Sequence, residues 1–237
     1  MLHGLNCTER QYCRDMPHIT GIVGAQYLPT DKGYTTYQEQ YASSSYQEER
    51  DLAPGLIVLA DDLQDTVRTV QFAKANNQAL AIRTGGHQYS GASSTGPQKI
   101  QLDLSKTLKS SDDLKVIPAG DMTFVRTSVS WSLGDFIDFL TKNQLFVPTG
   151  QCTDVHLGGH AQTGGYGQLA RSFGLLGDHI ISLELVCYDG SVKEVTKKCQ
   201  PDMFYGLLGG SPGNLGVLTH FTLEVHWIAT MTAPWAY

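Results

Sequence analysis

No run of about 18 apolar residues occurs in the sequence, so no helix is expected to span a bilayer. Basic residues are scarce as well. Lys and Arg number 17 against 23 Asp and Glu, a net charge of −6. Without a long basic run, a nucleic-acid partner is not expected, because such binding rests on neutralising phosphates. The five cysteines include no CxxC pair and are odd in number, which excludes a zinc ribbon and a fully paired disulfide scaffold. The first twenty residues lack the apolar core of a secretory signal. Also missing are GxGxxG and GxxxxGKS/T for nucleotide phosphates, and HExxH for a zinc protease.

What remains is a chain of globular composition, 237 residues long, that predicts one or two folded domains. Its strongest deviation is glycine, at 25 residues where about 17 would be average. Of these, 17 fall in three clusters, at 85–96, 150–177 and 206–216. The clusters are interleaved with Tyr166, Leu169, Phe173, Leu175, Leu207 and Leu215, unlike a solvated linker. Glycine among apolar anchors marks backbone that turns with positive φ or lets a ligand approach closely.

Periodicity predicts mixed β and α elements. Strands are expected at Leu56–Ala60, Ala79–Ile82, Lys99–Leu104, Val116–Ala119, Thr123–Val129, Ile180–Tyr188, Ser191–Val195 and Val217–Val225. Lys99–Leu104 alternates as a half-buried strand should. Asp189-Gly190 marks a hairpin turn. One helix should follow Asp61 or Asp62 with Leu63, Val67, Val70 and Ala73 inward. Another should follow Ser132 with Leu133, Phe136, Ile137 and Leu140 inward. This order favours α+β over a doubly wound sheet. Residues 1–50 show no clear period.

Two glycine runs carry chemistry. Arg83-Thr84-Gly85-Gly86-His87 follows a strand and gathers unobstructed backbone N–H groups, a nest suited to a phosphate or pyrophosphate, with an imidazole at its rim. The same residues also suit a tight turn with a surface histidine. In the second run Cys152 lies among polar residues and glycine, whereas inert cysteines sit in apolar surroundings. Gly158-Gly159 and Gly164-Gly165-Tyr166-Gly167 offer two more close approaches. His156 and His160 have a metal-ligand spacing on a helix, but the glycine pair between them opposes one, and no metal is expected. Cys152 with a histidine could form a nucleophile pair, though nothing in the sequence brings them together.

Taken in order, RTGGHQYSG (83–91), GQC (150–152), GGHAQTGGYGQLARSFGLLGDH (158–179) and GGSPGNLGV (209–217) resemble the FAD-binding PCMH-type domain of the vanillyl-alcohol oxidase/p-cresol methylhydroxylase superfamily. Within it they are most similar to berberine-bridge-enzyme-like oxidoreductases, and the similarity runs from about Ala53 to Glu224. The resemblance implies an α+β, two-subdomain fold with mixed β-sheets flanked by helices. It implies an N-terminal segment at 1–52, the FAD-binding domain at 53–226 and the start of a substrate domain at 227–237. It further implies FAD bonded through its 8α-methyl to His87 and through C6 to Cys152. Arg83, Thr84, Gly85, Gly86, Gly91, Gly158, Gly159, Gly164, Gly165, Tyr166 and Gly167 would surround the pyrophosphate and ribityl chain, with Gly216 and Val217 near the adenosine.

The implied activity is hydride removal from an alcohol, sugar or alkaloid-type small molecule, with molecular oxygen or another acceptor taking the electrons. The alternative is a truncated flavin-binding module with no catalysis of its own. Enzymes of the group are about twice this length, so no catalytic base carries over, and Tyr89, Tyr166 and Tyr205 are expected to be local packing residues. The sequence departs from the group at His156 and Thr163, where Gly is common, at His179, where Asn is, and at Leu215, where Phe is. His156 would disturb the loop bearing Cys152, and the bulk of Leu157 hints at poor oxygen access. Asn6-Cys7-Thr8 forms a glycosylation sequon, and Cys7 and Cys13 could pair or stay free. The compartment is left open.

Overall fold

The computed structural model describes residues 16–39, 52–210 and 212–228. Cys7, Cys13 and the sequon at Asn6 lie outside the described residues, as do 229–237.

Two sheets form the frame of an α+β fold. The first is mixed, in the order β1 (Gln26–Tyr27), β2 (Leu56–Leu59), β4 (Ile100–Asp103), β3 (Leu80–Arg83). β1 runs antiparallel to β2, whereas β2, β4 and β3 are parallel. The second is antiparallel, in the order β5 (Leu114–Ala119), β6 (Met122–Ser128), β10 (Val217–Trp227), β8 (Ile180–Val186), β9 (Val192–Thr196). The short β7 (Leu145–Phe146) pairs with the end of β10. The hairpin between β8 and β9 turns through Asp189-Gly190, with the Cys187 N–H donating to the Ser191 carbonyl at 2.8 Å.

Helix α2 (Leu63–Ala75) touches both β4 and β8 and so joins the two sheets into one core. Its start is fixed by the Asp62 side chain, which accepts from the Asp65 N–H at 2.8 Å. Asp65 is fully buried and accepts from the N–H groups of Val23, Gly24 and Asp61 at 2.9, 2.8 and 3.0 Å. That carboxylate ties the segment before β1 to the helix. Helix α3 (Leu133–Lys142) is capped by Ser132 and buries Leu133, Phe136 and Leu140. Ile137, expected inward, lies at the edge of that stripe and is 37% exposed.

Two expectations for the first sheet are corrected. β4 is not half-buried: Ile100, Gln101, Leu102 and Asp103 are all buried, because the strand lies between β2 and β3. Its second face is covered by the segment through α1 (Tyr34–Gln38), where the Tyr37 carbonyl accepts from Gln101 Nε2 at 2.9 Å. That segment, read from sequence as lacking a period, thus supplies a strand and a lid for the sheet. Its contacts to the sheet are long-range, both polar and through the Tyr27, Tyr34 and Tyr37 rings packed on Ile57 and Leu59, so local periodicity does not reveal them.

Candidate functional site

The parallel strands β2, β4 and β3 point their carboxyl ends the same way, and the Arg83–His87 turn leaves β3 at that end. Open parallel sheets place ligands there. Arg83 itself is structural. Its Nη1 donates to the Tyr37 carbonyl at 2.6 Å, and its Nε lies 3.5 Å from Asp103. Burial lowers the Arg83 pKa, with the Asp103 charge opposing, and burial raises that of Asp103. The guanidinium braces the turn from beneath, 3.1 Å from where a Cβ at Gly86 would stand. Gly86 has φ +69°, a left-handed conformation that glycine adopts without penalty.

The second wall begins at Cys152. Residues 155–157 form a short ladder with 131–133: the Leu133 N–H donates to Val155 O at 2.8 Å and the Leu157 N–H to Trp131 O at 2.9 Å. Helix α4 (Leu157–Gln162) follows directly, despite the glycine pair inside it. Leu157 and Ala161 are fully buried and anchor it, so tertiary packing outweighs poor helix propensity. Gly158 is a packing glycine, since a Cβ there would lie 3.0 Å from both Thr84 Cγ2 and Val129 Cβ. Gly159 is the reverse case: a Cβ there would meet nothing within 4 Å.

The two walls touch through Gly85, where a Cβ would lie 2.9 Å from His156 Cδ2 and 3.1 Å from Asp154 O. His87 hydrogen-bonds the Asp154 backbone. Burial lowers the His87 pKa, and the Asp154 charge and that bond oppose the shift. His156 is pushed down to about 4, by burial first and then by the charges of Lys109 and His87. Burial lowers His160 too. Its Nε2 accepts from the Gly150 N–H at 3.0 Å, which commits that nitrogen to holding the Cys152 loop. Among the described residues no group of three His, Cys, Asp or Glu side chains is arranged to hold a metal.

Between the walls lies a cleft of about 300 Å³. It brings together Thr84, Gly85, Gly86 and His87 from one side with Cys152, Gly158 and Gly159 from the other. Pro212 and Gly213, from the third glycine cluster, complete the lining. Other expected site residues lie off it. A Cβ at Gly167 would collide with the Thr149 carbonyl, one at Gly165 with Leu176, and one at Gly216 would lie 2.7 Å from Leu185. Gly91, Gly164, Tyr166 and Val217 also stand outside the lining. Tyr89, Tyr166 and Tyr205 are not packing residues; they are 66%, 76% and 60% exposed, and Tyr89 lines the cleft.

Gln162 was not singled out by the sequence. It is buried in the cleft wall, and its Nε2 donates to Gly158 O at 2.9 Å. Because that partner can only accept, the amide orientation is fixed, and Oε1 is left buried with no hydrogen bond. His156 Nδ1, on the same wall, is likewise buried with no hydrogen bond. The sequence singled out His156 by its spacing to His160 and as a departure from the group, but nothing in it marked Gln162.

A family model described as an FAD binding domain matches residues 54–196. An FAD-linked oxidoreductase of Dictyostelium discoideum is 34% identical over 173 residues, which cover 73% of this chain and 36% of the relative. Berberine bridge enzyme-like 3 of Arabidopsis thaliana is 32% identical over 227 residues, covering 93% of this chain and 40% of the relative. Among solved structures, 6-hydroxy-D-nicotine oxidase of Arthrobacter nicotinovorans superposes with a TM-score of 0.75 at 27% identity, covering 87% of this chain and 43% of that one. Glucooligosaccharide oxidase of Acremonium strictum, a protein with a 6-S-cysteinyl, 8α-N1-histidyl FAD, shares the fold with a TM-score of 0.71 at 20% identity, covering 85% and 40%. The chain spans about two fifths of the length of these relatives.

Proposed function

The chain belongs to the FAD-binding domains of the vanillyl-alcohol oxidase/p-cresol methylhydroxylase type, with berberine-bridge-enzyme-like oxidoreductases among its relatives, and on that premise we propose that its cleft holds FAD covalently for hydride removal from an alcohol, sugar or alkaloid-type substrate. The observation that carries this reading is the convergence of His87 and Cys152 on one cleft from loops far apart in the sequence. When bound, FAD supplies a hydride acceptor whose electrons pass on to molecular oxygen or another acceptor.

The residues present fit such a cofactor. Gly159 leaves room where any other side chain would project, and His156 Nδ1 and Gln162 Oε1 offer polar capacity that no described residue uses. Unmet polar atoms of this kind cost free energy until a partner engages them. Burial keeps His87 neutral near pH 7, with a ring lone pair for a C–N bond, while its bond to the Asp154 backbone orients the ring. Cys152 is a free, exposed thiol on the opposite wall, and its loop is held by the Gly150–His160 hydrogen bond. We assign residues 53–226 to the flavin domain, with 1–52 and 227–237 as flanking sequence. On this reading the substrate wall and its acid–base groups belong to the parts of the longer relatives that the match does not cover.

The test is acid precipitation of the FAD-loaded chain, followed by peptide mass analysis. Wild type should keep flavin absorbance in the pellet, with FAD mass on the peptides holding His87 and Cys152. The His87→Ala/Cys152→Ala double variant should release all of it. Flavin found wholly in the wild-type supernatant overturns the covalent reading, and failure to bind FAD at all overturns the cofactor.

A further inference from the structure

The face of Gly85 that a side chain would fill is occupied by the His156 ring, with Cδ2 2.9 Å from the ideal Cβ position. Gly85 has no positive φ. Its lack of a side chain therefore answers to this ring and to the Asp154–His156 backbone behind it, not to backbone conformation. The His156 backbone is itself fixed, by the bridge to Ser132 and the ladder at Val155 and Leu157. The ring reaches from that ladder across to the Arg83–His87 turn, and both ends of its reach line the cleft. Rather than disturbing the Cys152 loop, as the sequence suggested, His156 spans the gap between the two walls.

We propose that His156 is a positioning residue whose ring holds the His87 turn against the Cys152 loop, and so governs whether the cleft can engage one ligand from both walls at once. This rests on the covalent-flavin reading for its consequence, but not for its geometry. Each link exchanges a flavin C–H and a protein N–H or S–H for a C–N or C–S bond, and the two electrons and two protons pass to dioxygen. A ligand can form both links only if the walls keep their spacing. Removing the ring leaves a void against Gly85 and one fewer contact across the cleft, so the walls should separate and the second link should suffer first.

Two measurements test this. Hydrogen exchange of the bonded amides of Leu104, whose acceptor is Arg83 O, and of Val155 and Leu157, followed by mass spectrometry on flavin-free protein, reads the packing of the two walls directly. His156→Gly should speed exchange there about tenfold or more, and His156→Phe, which keeps a ring, should retain most of the protection. On FAD-loaded protein the fraction of Cys152 peptide carrying flavin mass should fall at least fivefold in His156→Gly, while the His87 peptide stays modified, and His156→Phe should restore it. Gly85→Ala should be rescued in part by His156→Gly, the non-additive pattern of two groups that share one space. Unchanged exchange in His156→Gly, or an unchanged ratio of the two links, overturns the proposal. Wild type with no flavin on either peptide instead sinks the covalent reading, and the exchange result still judges His156. Should His156→Gly fail to fold, His156→Phe and His156→Asn give the same comparison.

Discussion

Gly159→Ala separates two effects that glycine combines in this protein. The residue lies inside α4, where replacing glycine by alanine removes an entropy cost of roughly 0.5–1 kcal/mol. No neighbour opposes the new methyl, since nothing lies within 4 Å of its position. The flavin-free fold should therefore gain stability, and for a domain of this size that corresponds to a melting temperature higher by about 1–4 °C. The same methyl projects into a cleft of about 300 Å³. If FAD passes over that helix, the intrusion resembles an overpacked site, which costs about 1–3 kcal/mol, or roughly a 5- to 150-fold loss of affinity. The assay is a pair of measurements in the His87→Ala/Cys152→Ala background, where flavin is held reversibly: thermal unfolding without flavin, and FAD bound at equilibrium dialysis. Melting must be followed without flavin, because a bound ligand raises it by mass action. Gly167→Ala is the control, because its methyl collides with the Thr149 carbonyl and should lower the melting temperature. A Gly159→Ala protein that melts higher and still loads FAD as wild type does would refute the placement of the cofactor along α4.

Further outcomes follow from buried groups elsewhere. Asp65→Ala removes the acceptor of three backbone donors at Val23, Gly24 and Asp61; Val23 and Asp61 are exposed and can turn to water, so the loss should be about 1–3 kcal/mol, and a fall in melting temperature under about 2 °C would contradict it. His156 has its pKa lowered to about 4 in the folded chain, from the usual 6.5, so the unfolded state takes up its proton first as pH drops. Stability should decline from pH 6.5 towards 4 and level off below, by no more than about 3 kcal/mol from this residue; His87, His160 and His220 act in the same direction. Melting curves from pH 7.5 to 4.5 should show a shallower slope for His156→Asn, and an equal slope would remove His156 from the account. Gly165→Val should unfold the chain rather than merely lower flavin loading, as it forces a branched side chain into φ +76° and against Leu176; a folded protein that fails to load FAD would return Gly165 to the cleft.

The framework was legible because its elements carry local signals. Asp62 and Ser132 start their helices as capping chemistry predicts, and the strands from Leu56 to Val225 fall within a few residues of their apolar runs. What was lost were the pieces whose reason lies at long range. β1 has only Gln26 and Tyr27, and it is held by pairing to β2 and by the reach of Asp65 across some forty residues. The burial of Gln101 and Asp103 depends on Tyr37 and Arg83, which no window around β4 contains.

The site was legible as a place but not in its division of labour. A glycine marks only that a Cβ is unwelcome, and three different causes write the same letter. At Gly86 the cause is conformation, at Gly158 and Gly167 it is neighbouring protein, and at Gly159 it is space with nothing yet in it. Only the last kind argues for a ligand, because the first two are fully explained by the protein itself. Of the glycines in 158–167, which the resemblance assigns to cofactor contact, Gly158 and Gly159 line the cleft and Gly164, Gly165 and Gly167 do not. The polar side chains of the wall carry a different signal. His156 and Gln162 each bury one polar atom without any hydrogen bond, which shows only once partners are counted. Such atoms are tolerated in a folded protein when something else engages them. Of the described side-chain atoms buried without a hydrogen bond, these two belong to cleft-lining residues, which supports the cofactor reading independently of the sequence resemblance. Restoring FAD should protect the α4 amides around both residues from hydrogen exchange. Protection confined to residues 83–87 would leave the unmet atoms on α4 unexplained, and would move the cofactor to the opposite wall.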